Sequence, residues 1–376
     1  MDDVVREYGW QAAAFGSAVS GFGTRGCDLD IVVFDDTAGT EDDKSGDPTS
    51  VQPIIIKLRD LFNNTEFAVK DMILSARIPI LKLRYKECDI DMSFNNIKPL
   101  TNTRLLKCYA ALDPLVGQLG VAVKLWAKKQ NRCGASKGNL SSYAFMLMSI
   151  YFLQVSAHRL PCLQSEGAED GAFASEQAAE ERVEAVRKSG WAIRASLDDL
   201  LAGFFAFYAG GPGPGMQEYV RPFEWGSEVV SVRLGRRLNS DAKEFEQLRG
   251  RKDRRLHIED PFERSRNLRD VVRTVPVDRE AALYSSIARL DHECRKAYAE
   301  HIAKAMQDSL LPWMSDFFAS MPGGVPSPLY SNFFFPFCND ANMPSKAQAK
   351  HEQKGRKHRI NNSTRRMYAE YGPAWC

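Results

Sequence analysis

The chain has 376 residues, 44% of them hydrophobic and 26% charged, with a formal net charge of +2 at pH 7. That is the composition of an ordinary soluble globular protein long enough for two domains with cores, and its charge says nothing about a nucleic-acid surface, which must come from local clustering. No apolar run reaches the roughly 18 residues of a membrane span, so no membrane partner is expected. The eight cysteines form no Cys-x-x-Cys pair, which disfavours zinc and reads as reduced, buried thiols in an intracellular compartment.

Met1 to Gln11 looks like neither a secretory signal nor an Arg-rich transit peptide. The first functional strand follows within a few residues, so an upstream helix or targeting segment is expected to be missing. Phe15-Gly16-Ser17 and a glycine-rich stretch then lead into Asp28-Leu29-Asp30-Ile31-Val32-Val33. On a strand, side chains two apart share a face, so Asp28 and Asp30 project together while Leu29 and Ile31 enter the core. Paired carboxylates beside backbone amides freed by glycine suit a hard divalent cation and a polyphosphate; the plain alternative is a solvated surface turn.

Ile78 to Leu83 reads as a strand, and Cys88 to Phe94 as its antiparallel neighbour across the connector Arg84-Tyr85-Lys86-Glu87. Asp89 and Asp91 share a face by the same period. If this strand lies beside that of Asp30, three carboxylates converge as two metal ions require, and spacing does not choose between Asp89 and Asp91. From about Thr103 the apolar period becomes helical, through Leu105, Leu106, Tyr109, Leu112 and Leu115 and again through Val121, Val123, Leu125 and Trp126. Lys124 and Lys128 stand four apart on one helix face, either as a phosphate clamp or as solvated lysines. A further helix opens at Leu140-Ser141-Ser142-Tyr143, with Asn139 or Ser141 as N-cap.

Residues 164–188 are acidic and rich in small residues and read as an exposed, partly helical insertion. A helix resumes through Asp198 to Tyr208, Gly210 to Gly215 is a loop by composition, and the charged stretch 236–256 is expected at the surface. Beyond Val272, Glu280 to Ser309 and Ser315 to Met321 are helical by pattern. The last fifty or so positions join Phe333-Phe334-Phe335-Pro336-Phe337 to a basic run from Lys346 to Arg366, read as an RNA-binding surface, a bridging segment or a solvated tail. His351 and His358 lie in that run without cysteine partners and are not read as metal ligands.

The Gly-Ser, Asp-x-Asp and later Asp motifs, taken in order, resemble the DNA polymerase β-type nucleotidyltransferases. Within them the chain is similar to template-independent RNA terminal uridylyltransferases and their poly(A) polymerase relatives, from about Phe15 to about Val272. The resemblance implies a small α/β palm with a mixed sheet (1–100), a helical poly(A) polymerase-associated domain (101–300) carrying the insertion near 164–188, an active site in the cleft between them, and an extra carboxyl-terminal segment (301–376).

For Asp91-Met92-Ser93-Phe94, followed by Asn102-Thr103, it implies that Asp91 is the third catalytic carboxylate and that Asn102 reads the ribose 2′-OH. An Asx turn entering the helix is the structural alternative for Asn102. Asp28, Asp30 and Asp91 would hold two magnesium ions, with manganese as a substitute. Gly16, Ser17, Thr103, Lys124, Lys128 and Ser142 would contact the nucleotide, and Tyr143 would stack on the base. Asp260 and Glu263, in Ile258-Glu259-Asp260-Pro261-Phe262-Glu263, would accept from uracil N3, and Asn267 closes that loop. Arg266 stands where some uridine-preferring relatives carry histidine. Arg77 would contact the RNA 3′ end.

The implied activity is transfer of UMP from UTP to an RNA 3′ end with release of pyrophosphate. The alternatives are a poly(A) polymerase of the same fold or an inactive RNA-binding scaffold. The size, the Asp-Pro-Phe-Glu loop and the divergent end look most like trypanosomatid uridylyltransferases of the mitochondrial, editosome-like-complex-associated kind. That resemblance implies a mitochondrial location and such a complex as partner, with a cytoplasmic location as the alternative.

Overall fold

The protein was analysed as a computed structural model, which describes residues 1–24, 26–38, 48–164, 173, 175–209, 221–250, 256–272, 282–289 and 292. Two compact units are present, Met1–Thr274 and Val275–Cys376. In the second, residues 282–289 are helical and bury Leu283 and Ile287. The Gly210–Gly215 loop, the Ser315–Met321 helix, the phenylalanine cluster and the basic run lie outside the described residues.

The first unit opens with α1 (Asp2–Arg6), β1 (Gln11–Phe15) and β2 (Leu29–Phe34), followed by α2 (Pro48–Phe62), β3 (Ala68–Ile73), β4 (Ile80–Tyr85) and β5 (Cys88–Phe94). The strands form one mixed sheet in the order β1-β2-β5-β4-β3. Only β2 and β5 are parallel; β1–β2, β3–β4 and β4–β5 are antiparallel. The β4–β5 hairpin is tighter than the four-residue connector expected, because Tyr85 still pairs with Cys88 and the turn is Lys86-Glu87. Lys86 takes the left-handed backbone (φ 52°) that such short turns require.

Alternation gives the sheet two unlike faces. Ile31 and Val33 of β2, Leu81 and Leu83 of β4, and Ile90, Met92 and Phe94 of β5 join Val51, Ile55, Leu58 and Phe62 of α2 in one core. The intervening positions Asp30, Lys82, Arg84, Asp89 and Asp91 therefore point to the opposite face.

Helices follow: α3 (Lys98–Leu112), α4 (Pro114–Lys129), α5 (Ser142–Val155), α6 (Glu176–Lys188) and α7 (Leu197–Ala209). α3 starts earlier than the apolar period suggests, with Pro99 in its first turn. Asn102 thus lies inside the helix, and the Asx-turn alternative does not apply. α5 is buried on nearly every side, as befits a helix at the centre of a bundle. Its Tyr151 and Phe152 pack with Phe204, Phe207 and Phe223. Leu125, expected among the core residues of α4, is exposed. Two short strands, β6 (Val229–Val230) and β7 (His257–Ile258), pair in parallel ahead of the last loop.

Two sequence expectations change here. The 164–188 segment is not simply exposed: Gln164, Phe173, Ala179 and Val183 are buried, and α6 lies against α3 through Lys107–Glu176 (2.9 Å) and Arg187 to the Ala111 carbonyl (2.7 Å). The 236–256 stretch is not all surface either. Phe245, Leu248 and Leu256 are buried, and the Arg237 guanidinium turns inward onto the fully buried Glu228.

Candidate active site

The register of the parallel pair puts Asp30 directly opposite Asp91. Asp28 is exposed one residue ahead of β2, not on the strand as the period of two suggested, because the chain is still leaving a turn at Gly26 (φ 74°). Burial pushes the Asp30 carboxyl up to about 6, and the charges of Asp91 and Asp28 add to the rise, against Lys82. Asp89 lies outward in an ion pair with Arg84 (3.3 Å). Of the two acids that spacing left open, Asp91 is the one that stands opposite Asp30. Both Asp91 oxygens accept from Lys82 Nζ, at 2.8 and 3.0 Å.

No preformed group of three or more His, Cys, Asp or Glu ligands stands together among the described residues. The donor chemistry nonetheless fits a hard divalent cation: three carboxylates sit close enough for two to raise the third, and the one counter-charge on Asp91 is a flexible lysine that can yield to a metal.

The loop before β2 is fixed from both sides. A Cβ on Gly16 (φ 76°) would lie 2.3 Å from Asp30 Oδ2, so only glycine lets the carboxylate settle on this turn. The Gly16 amide is not free, since it donates to Thr103 Oγ1 (2.9 Å), whose hydroxyl donates to the Pro99 carbonyl (2.7 Å). Farther along, Phe22 is fully buried against Gly120 of α4, where a Cβ would meet its ring at 2.4 Å, and a Cβ on Gly117 would lie 2.9 Å from the Gly21 carbonyl oxygen. One turn on, buried Lys124 donates to the Phe22 carbonyl. Burial, then the charge of exposed Lys128, lowers the Lys124 ammonium from its usual value.

Ser141 caps α5 by accepting from the Ala144 amide (3.2 Å), leaving Ser142 Oγ 3.3 Å from Cys133 Sγ. The Tyr143 phenol oxygen and Asn102 Oδ1 are buried without hydrogen-bond partners. Burial and then the Asp260 charge hold the Tyr143 phenol well above its usual range.

Asp260 and its neighbours form a closed loop. Asp260 Oδ1 accepts from the amides of Phe262 (3.0 Å) and Glu263 (3.1 Å), while Oδ2 is buried without a hydrogen bond, 3.6 Å from Arg266 Nη1. Burial raises the Asp260 carboxyl. Burial also acts to raise Glu263, but Lys98 and Arg266, each 2.8 Å away, outweigh it and lower that carboxyl. Behind the loop, buried Glu259 bonds Arg233 (2.6 Å) and Ser231 (2.6 Å). Asn267 closes it as expected, its Oδ1 accepting from Ile258 N (3.1 Å).

The expected residues therefore fall into an acidic patch on the interior strands β2 and β5, positions on α3, α4 and the start of α5, and one loop around Asp260. Arg77 stands apart, exposed in the β3–β4 connection. Sequence reading missed Lys82, Lys98, Gly117 and Gly120. The signals existed: Lys82 alternates with Leu81 and Leu83, and glycines three apart on an apolar helix mark close backbone approach.

Residues 2–111 match the central palm domain of the family described as poly(A) RNA polymerase, mitochondrial-like, and residues 196–266 match the domain of the Cid1 family of poly(A) polymerases. The chain is 28% identical to poly(A) RNA polymerase GLD2 of Danio rerio over 68% of its own length and 49% of the relative's. It is also 28% identical to terminal uridylyltransferase 4 of Homo sapiens, over 70% of this chain and 16% of that one. It thus spans about half or less of these relatives. Among solved structures, a cytoplasmic RNA terminal U-transferase aligns with TM-score 0.53 at 27% identity, covering 76% of this chain and 83% of that one. The Cid1 poly(U) polymerase with Mg and 3′-dATP bound aligns with TM-score 0.52 at 26% identity, covering 79% and 83%. In fold, in the order of its two matched segments and in its relatives, the chain is similar to the Cid1/GLD2-type poly(A)/poly(U) polymerases.

Proposed function

We propose that the protein is a magnesium-dependent RNA uridylyltransferase that adds UMP from UTP to RNA 3′ ends. The 3′ oxygen attacks the α-phosphorus, and the bond to the departing pyrophosphate breaks. Asp28, Asp30 and Asp91 are assigned as ligands of two metal ions, which manganese can replace. Ions held by these carboxylates would lower the pKa of the attacking hydroxyl and neutralise the leaving group.

The remaining roles belong to the chain's own groups. Ser17, Lys124, Lys128 and Ser142 hold the triphosphate, with Gly16 and Thr103 setting the loop that presents Ser17. Tyr143 stacks on the base, Asn102 Oδ1 accepts from the ribose 2′-OH, and Arg77 meets the RNA. The nucleotide is assigned to the cleft between the palm, taken as 1–100, and the helical domain, taken as 101–300, while 301–376 is taken as an extra bridging or RNA-binding segment.

The observation that carries the choice of uracil is the buried Asp260 Oδ2, which accepts no hydrogen bond and has Arg266 3.6 Å away. A buried acceptor without a hydrogen bond favours a base with a donor at N3, and Arg266 can donate to a neighbouring uracil carbonyl. A poly(A) polymerase is the second reading, supported by the GLD2 relatives. Extension of a short RNA with each single NTP tests both: preferred UTP incorporation is expected, and preferred ATP incorporation overturns the uridine reading. Absence of any magnesium-dependent turnover leaves the RNA-binding scaffold. On the resemblance to trypanosomatid enzymes we assign the protein to the mitochondrion with an editosome-like complex as partner. Fractionation with co-purification checks this, and a cytoplasmic signal refutes it.

A further inference from the structure

The segment between α5 and α7 lies outside both matched family segments, yet its buried side chains touch the loop that carries Asp260. Gln164 Nε2 donates to the Pro261 carbonyl (3.2 Å), and fully buried Phe173 meets Phe262 edge to face with ring centroids 6.0 Å apart. The same segment is tied to α3: Arg104 Nη1 donates to the Phe173 carbonyl (3.0 Å), and Glu176 receives Arg104 and Lys107. Arg104 follows Asn102 by two residues on that helix. One segment thus joins two groups of proposed nucleotide contacts that come from distant parts of the chain.

We propose that Phe173 and Gln164 form a nucleotide-positioning clamp that holds the Asp260–Arg266 loop in register with Asn102 on α3. Neither residue touches the reacting atoms; both act through the Pro261-Phe262 backbone, whose neighbouring amides are oriented by Asp260 Oδ1. The clamp sets how well the loop is formed before nucleotide arrives, so it governs nucleotide affinity rather than the chemical step. The inference rests on the uridylyltransferase reading for its kinetic form only.

The test uses the full chain as wild type, Phe173→Ala, Phe173→Leu, Gln164→Ala and, as a control on the outer face of α6, Glu184→Ala. Amide hydrogen exchange of Phe262 and Glu263 is read first, because it needs no activity. The clamp predicts exchange accelerated about tenfold or more in Phe173→Ala, largely restored in Phe173→Leu and unchanged in Glu184→Ala. With UTP and a short RNA, it predicts a KM raised about tenfold in Phe173→Ala and about threefold in Gln164→Ala, with kcat within about twofold of wild type. Unchanged exchange and KM in a folded Phe173→Ala overturn the clamp, as does a fall in kcat at constant KM. If Phe173→Ala does not fold, Gln164→Ala decides by the same criteria, since it removes one hydrogen bond and leaves the ring pair intact. If the wild type turns over no nucleotide, the uridylyltransferase reading fails, and exchange still decides the clamp.

Discussion

The acidic patch on the sheet and the Asp260 loop do their positioning by opposite means. In the patch, backbone pairing between the interior strands β2 and β5 fixes Asp30 against Asp91, and no side chain is needed to align them. In the loop, only two short strands precede the critical residues, and shape comes from side-chain bonds: Asp260 to its own loop amides, Asn267 to Ile258, and Glu259 to Arg233. A site set by a ladder tolerates loss of a side chain without losing its frame, whereas a site set by buried polar bonds loses function and stability together.

Substitutions can break or sharpen that contrast, and the largest effect belongs to the acidic patch. Asp91→Ala should lower UTP incorporation by about 10³-fold or more while far-UV circular dichroism stays that of the wild type. A collapse of the fold in that variant erases the distinction between the two regions. Glu259→Ala should do the reverse, leaving the Arg233 charge buried and unpaired and lowering unfolding free energy by about 3–5 kcal/mol in urea titration.

Next comes Asp30→Asn in EDTA. Burial and the charges of Asp91 and Asp28 push the folded carboxyl up to about 6 from its ordinary 3.8, so the folded form binds the extra proton and stability falls as pH rises between those values. The amide removes that deficit, and the variant should exceed wild type by about 1–3 kcal/mol at pH 8, with little difference at pH 4. Equal gains at both pH values would refute the assigned burial and repulsion.

Arg266→His should raise the preference for UTP over ATP by about tenfold, roughly 1.4 kcal/mol, in paired single-nucleotide assays. The smallest effect is expected for Lys98→Ala. Its exposed bridge to Glu263 contributes less than about 1 kcal/mol, and added salt should mimic the substitution.

How much was legible follows the same division. Strand alternation exposed the Asp30 and Asp91 faces, and the hairpin to β4 and the helices α3, α4 and α5 followed from apolar period. Ser141 as the α5 cap was among the options that its local chemistry offered. The misses are long-range. Phe173 and Gln164 look like parts of an acidic surface segment until Phe262 and Pro261 arrive from far along the chain. Leu125 fits an apolar period but falls on an uncovered helix face. Arg237 reads as surface charge because its partner, Glu228, is buried by elements that local pattern does not relate. Periodicity reports which face a residue shares, not what will cover that face.

The one parallel pairing within the five-stranded sheet carries a kinetic consequence. β2 ends at Phe34 and β5 begins at Cys88, so α2, β3 and β4 must be traversed before the two strands can meet. The β3–β4–β5 meander closes through near neighbours in sequence, while the β2–β5 ladder closes last because its loop entropy is greatest. In pulse-labelled refolding, amides of β4 and β5 facing each other should gain protection before those of β2, and magnesium should leave that first phase unaccelerated, since its proposed ligands are not yet neighbours.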